Sequence, residues 1–176
     1  MKRNIFIYII LIAMTTLFSS CSTIPKGVKA VSSFELNRYL GKWYEIARFD
    51  FRFERGLNNT TAEYSLRSDG KVKVLNRGFD YEKKTWKEAI GKAKFAGEEN
   101  IAMLKVSFFG PFYSGYNVIA LDADYKYALV AGKNFDYLWI LSREKTMPEN
   151  IKNEYVELAK SLGFNVSEFL WIEHNQ

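Results

Sequence analysis

The chain has 176 residues, 25 Lys and Arg against 20 Asp and Glu, and a net charge of +5 with no run of five basic residues, which argues against nucleic acid as a partner. One cysteine, Cys21, and one histidine, His174, allow no internal disulfide, no Ser-His-Asp or Cys-His pair inside a domain, and no histidine-rich metal site. Aromatic residues make up 16% of the chain, which suits a core or an apolar pocket.

The first predicted feature is a signal peptide over residues 1–20. Lys2 and Arg3 precede an apolar run from Ile5 to Phe18, which is followed by Ser19, Ser20 and Cys21. The run is shorter than the ~20 residues that span a bilayer. A cysteine directly after small residues resembles the lipobox of bacterial lipoproteins, with Phe18 standing where leucine is usual. That resemblance implies cleavage before Cys21, acylation of its thiol and a membrane anchor. The alternative is an ordinary secretory signal. Removing residues 1–20 leaves 156 residues and a charge of +3, enough chain for one domain with a sizeable core. Residues 21–33, with Cys21 at their head, read as a flexible tether because they are small, polar and contain Pro and Gly. The domain is placed at 34–176.

Strands are predicted near 43–50, 59–67, 71–79, 85–95, 101–109, 115–122, 126–132 and 136–143. Ala62, Tyr64 and Leu66 alternate with Thr61, Glu63, Ser65 and Arg67, the period of a half-buried strand. Asp69-Gly70 marks a hairpin turn. Eight short strands with short connections predict an all-β fold, an antiparallel up-and-down barrel that closes on itself and so removes its edges. Thr146 to Glu149 matches a capping box, with Pro148 in the first turn of a helix. Ile151, Tyr155, Leu158 and Leu162 form one stripe, read as packed on the barrel wall, and Gly163 ends the helix. A short last strand is predicted at 168–173, beside the barrel.

Gly41-Lys42-Trp43 at the first strand, Asp124-Tyr125 between the sixth and seventh, and Arg143 at the end of the eighth resemble the three conserved regions of the lipocalins. Ala123 stands where threonine is usual in the second. The segments 38–50, 52–56, 105–120 and 136–143 extend the resemblance to the bacterial outer-membrane lipocalins, the apolipoprotein D-like branch of the family, over nearly all of 34–173. The family's topology puts the three signals at one closed end. There Arg143 is expected to pack across Trp43 as a cation–π contact. These residues are read as structural.

The opposite end gathers residues 50–58, 80–85, 110–115 and 133–136. Phe49, Phe51 and Phe53 interleave with Arg48, Arg52 and Arg55 there. Such a rim suits an amphiphile, its tail in the barrel and its anionic head on Arg52 and Arg55. Alternatively the phenylalanines fold into the loop and the arginines are solvated, or the aromatic rim is a homodimer or membrane contact. Parity directs Ala62, Tyr64, Leu66 and Trp139 inward. Tyr64 and Trp139 match cavity positions in the resembled branch, and Asn76, Phe108 and Tyr116 are further candidates.

The resemblance implies a lipid carrier anchored at the outer membrane through Cys21. The expected ligand is a fatty acid or lysophospholipid, in a role of envelope maintenance under stress. No cofactor and no metal are expected. Glu45 is read as a structural carboxylate and His174 as a solvated tail residue. An interaction protein with a filled barrel, or a lipid-modifying enzyme, are the competing readings.

Overall fold

The structure, a computed structural model, describes residues 23–176. The signal peptide at 1–20 and the acylation of Cys21 lie outside the described residues.

Eight antiparallel strands follow one another round a barrel: β1 (Gly41–Phe49), β2 (Leu57–Leu66), β3 (Val72–Asp80), β4 (Thr85–Phe95), β5 (Met103–Phe109), β6 (Phe112–Leu121), β7 (Tyr127–Ala131) and β8 (Leu138–Ser142). β1 pairs with both β8 and β2, which closes the ring as expected. Its lower part, Gly41–Tyr44, meets β2, while Ala47–Phe49 pair with the last strand, β9 (Phe169–Trp171).

Several boundaries differ from expectation for physical reasons. β1 begins at Gly41, whose φ of +92° turns the chain directly out of a one-turn helix, α1 (Leu36–Tyr39), that the sequence pattern did not signal. β6 begins three residues early because Gly110, at φ +59°, makes Gly110-Pro111 a tight turn and pairs Phe109 with Phe112. Leu66 was expected inside the barrel. It is 57% exposed, because β2 runs past Tyr64, the last residue paired to β1.

The helix α2 (Glu149–Ser161) lacks the expected capping box. Pro148 is itself the N-cap, in an extended conformation with no side-chain cap bond, and the Thr146 carbonyl accepts from Ser142 Oγ at 3.1 Å. Gly163, at φ +96°, ends the helix, and Phe164 N–H donates back to the Ala159 carbonyl.

Two apolar cores result. One fills the lower barrel around Trp43, Val118, Val130 and Leu141. The other lies between the outer wall and α2, where Ile46, Leu129, Leu138 and Ile140 meet Tyr155, Ala159 and Phe164. β7 and β8 are covered on both faces, which is why their sequences, Ala128–Ala131 and Leu138–Leu141, are unbroken apolar runs.

The segment expected to be a loose tether is docked from Thr23 onward. Val31 N–H donates to the Val118 carbonyl, the Val31 carbonyl accepts from Ala102 N–H, Ser32 bridges to Ile101, and Val28 is buried. At its start, the Thr23 carbonyl accepts from Asn117 Nδ2 at 2.7 Å. Composition favoured a linker, but backbone pairing to the barrel's outer wall holds the segment.

Candidate ligand-binding site

The strands enclose a cavity of about 510 Å³ that opens where the β1–β2, β3–β4, β5–β6 and β7–β8 turns gather. That lies inside the range of small-molecule sites, about 300–1,000 Å³. Its walls are apolar, with Val72, Val74, Ala93, Leu104, Val106 and Leu141 facing in. Between Thr85 and Gly91, β4 pairs with β3 alone, because the β4–β5 ladder stops at Lys92 and Ser107. The cavity therefore also reaches Glu88 and Ala89 beside the mouth.

The closed end is a stack of interlocked groups. Trp43 is fully buried and donates its indole N–H to the Tyr39 carbonyl at 2.8 Å. The Arg143 guanidinium lies 3.9 Å over the Trp43 ring and donates to the carbonyls of Lys42, Arg38 and Tyr125. The Tyr125 hydroxyl accepts from Glu35 N–H, and its ring carries Arg38 at 4.1 Å. Asp124 faces solvent beside Lys126. The loop is instead organised by Asp122, whose carboxylate takes the N–H groups of Asp124 and Lys126.

Above the floor, three phenols form a chain that the sequence showed only in part. Tyr116 bonds Tyr39 and Tyr64, each at 2.7 Å. Burial raises all three above the usual tyrosine range, so they stay neutral donors and acceptors. Tyr39 was not foreseen because it sits on α1, outside any strand whose parity could nominate it.

Tyr64, Asn76, Phe108, Tyr116 and Trp139 all line the cavity. Asn76 Oδ1 is buried without a protein hydrogen-bond partner. Arg52 and Arg55 do not line it. Arg55 pairs with Asp50 at 2.8 Å in solvent, and Arg52 lies over the Phe53 ring. The arginine that is buried here is Arg48, and its partners are internal. It donates to Glu45 Oε1 at 2.8 Å and to the carbonyls of Glu54 and Leu57. Glu45 is thus a buried ion-pair member, and burial raises its carboxyl above the usual range against the pull of Arg48. Burial, then the nearby Glu45 charge, pushes Glu54 up to about 8.

His174 was expected in solvent. It is half-buried, packs edge-on against Tyr44 and donates Nε2–H to the Glu45 carbonyl at 2.8 Å. Among the described residues, no cluster of three or more His, Cys, Asp and Glu could hold a metal ion.

The fold is a single-domain antiparallel barrel, plugged at one end by an arginine over a tryptophan and open at the other onto an apolar cavity. The chain belongs to the lipocalin family: residues 34–174 match the lipocalin-like domain. It is 54% identical over 154 residues to the outer membrane lipoprotein Blc of Escherichia coli K12, covering 88% of this chain and 87% of that one. Apolipoprotein D of Cavia porcellus is 36% identical over 159 residues, 86% of this chain and 80% of its own. Among solved structures, insecticyanin from Manduca sexta superposes with a TM-score of 0.69 over 85% of each chain at 20% identity, a likeness of fold.

Proposed function

We propose that this protein holds a single-chain amphiphile, a fatty acid or lysophospholipid, in its barrel and carries it for envelope maintenance under stress. Like the relatives called outer membrane lipoproteins, it resides at the outer membrane, lipid-anchored. The observation that carries the reading is the cavity of about 510 Å³, whose apolar wall leads from the tyrosine floor to an aromatic mouth. Ten methylenes buried there offer roughly 8 kcal/mol of gross transfer energy. Part of that is lost to ordering the chain and the ligand, so micromolar affinity is reachable. Polar groups at its edge suit a head group: Asn76 Oδ1 lacks a protein partner, and Glu54 and Trp139 face each other below the rim. Tyrosines held neutral face the cavity, and the carboxyls of Glu45 and Glu54 that line it are engaged by Arg48 and Trp139, an arrangement for holding rather than attacking a lipid.

Native mass spectrometry of the protein purified from its own envelope tests the reading. A co-purified lipid of single-chain mass, exchanged by added lysophospholipid, is the expected result. Barrels that are empty and stay empty under added fatty acid and lysophospholipid would refute it.

A further inference from the structure

We propose that the protein stands mouth-down on its membrane, with Phe53, Phe109 and Phe112 seated in the phospholipid surface. This goes beyond lipid carriage, is independent of what the cavity holds, and rests on acylation of Cys21.

Three observations converge. The first is the rim itself. Phe53, Phe109 and Phe112 are 63%, 66% and 79% exposed, the Phe53 and Phe109 rings lie 5.8 Å apart, and Phe109 pairs with Phe112 across its hairpin. Such an apolar cluster, concentrated at one end of a small domain, marks an interaction surface. Arg52 lies over Phe53, and Lys83 and Lys84 are exposed with Glu82 on the β3–β4 turn at the same end, so this end carries cations as well as phenylalanines. Aromatic side chains beside cations match the interfacial layer of a bilayer with anionic lipid.

The second is the docked N-terminal strap. It runs along the outer wall from Thr23 to Phe34, whose N–H donates to Asn100 at the closed end. Its first residue sits in the mouth half of the barrel. The Thr23 carbonyl takes the Asn117 amide, which also reaches the carbonyls of Ala131 and Gly132 where β7 meets its mouth turn. Gly115, three residues from Phe112 on β6, has no Cβ because that atom would fall 1.8 Å from the Thr23 carbonyl oxygen. The close approach requires glycine, so the strap's position is built into β6.

The third is reach. Cys21 precedes Thr23 by two residues, at most about 7 Å of extended chain. Three residues of strand separate Gly115 from Phe112, about 10 Å. The closed end lies twice as far, six residues along the same strand at Leu121, about 20 Å. A short leash fixed to the mouth half holds the rim, not the floor, against the bilayer. The lipid path between membrane and cavity is then a direct one.

The test uses the full-length chain processed in its own envelope, with acylation verified by intact mass. It is reconstituted in vesicles of phosphatidylethanolamine and phosphatidylglycerol whose acyl chains carry bromine. Phe112→Trp reports on the rim and Leu66→Trp, at the exposed end of β2, on the floor. The added tryptophan of Phe112→Trp is expected to lose at least about twofold more emission than that of Leu66→Trp. Gly115→Ala, placed in the Phe112→Trp background to push the strap off the wall, is expected to shrink that quenching, with near-ultraviolet dichroism confirming the fold. Phe53→Trp serves in place of Phe112→Trp if the latter misfolds. Equal quenching at both ends, stronger quenching at Leu66→Trp, an unacylated Cys21, or no response to Gly115→Ala would overturn the proposal. Binding of soluble lysophospholipid by the same variants is measured separately, so a failure of the carrier reading is distinguishable.

Discussion

Trp139 donates its indole N–H to the Glu54 carboxyl at 3.4 Å, joining the β1–β2 loop to the inner wall of the cavity. Glu54 titrates at about 8 in the folded chain, against 4.5 for the free side chain. Between those values the folded protein binds a proton that the unfolded chain has released. The contribution of Glu54 to stability is therefore fully present below about 4.5 and is lost as the pH rises towards 8, by at most about 1.4 kcal/mol per pH unit for one proton. Glu45 is shifted in the same direction. His174 is held below its usual range by burial and acts in the opposite sense through pH 6.5. Urea unfolding of the parent and of Glu54→Gln at pH 5 and pH 8 separates these. The variant is expected to lose much of the parent's decline, and two parallel profiles would exclude Glu54 as its source.

The floor predicts a large and coupled cost. Trp43→Ala empties a fully buried site, for a loss of about 3–5 kcal/mol. Arg143→Met removes donors from three carbonyls and is expected to cost about 2–4 kcal/mol. Because the guanidinium lies directly on the ring, the double variant should fall short of the sum by about 0.5–2 kcal/mol. Strict additivity in a denaturant double-mutant cycle would mean that the stacking contributes nothing.

Occupancy of the cavity is readable through Trp139, whose ring contacts Phe51 and Tyr137 under the mouth. Titration with a lysophospholipid is expected to change its emission, and Trp139→Phe to abolish most of that change. Ala89→Phe fills space at the upper wall and is expected to weaken binding about tenfold, near 1.4 kcal/mol. Unaltered affinity in Ala89→Phe would place the ligand elsewhere.

The sequence was most legible where local pattern and global position coincide. Ala62 and Tyr64 alternate with polar neighbours and do face inward, and Gly41, Trp43 and Arg143 meet at one end because the up-and-down order alternates the turns. It was least legible where partners are far apart in the chain or outside regular strands. Tyr39 joins the cavity from α1, and Asn117 finds Thr23 across 94 residues. Arg52 and Arg55, which do not line the cavity, were hard to place for a related reason. Interleaved Phe and Arg in a loop carry no parity, and the buried cation proved to be Arg48, on β1, held by Glu45. Composition likewise suggested a loose tether over residues 21–33, since the backbone pairing to a wall seen from Thr23 onward leaves no mark in small polar residues.

Asn117 tests how firmly that segment is held. It is fully buried, and its single amide nitrogen serves the carbonyls of Thr23, Ala131 and Gly132. Asn117→Ala leaves all three without that donor, at an expected cost of about 1–3 kcal/mol. The loss should be local. The Val28 amide, which bonds only to the Pro25 carbonyl within the strap, is expected to exchange faster. The amides of Val31 and Phe34, bonded to Val118 and Asn100, keep their protection because those bonds do not pass through Asn117. Hydrogen exchange read by NMR distinguishes this from a strap that opens as one unit, in which Val28, Val31 and Phe34 would lose protection together.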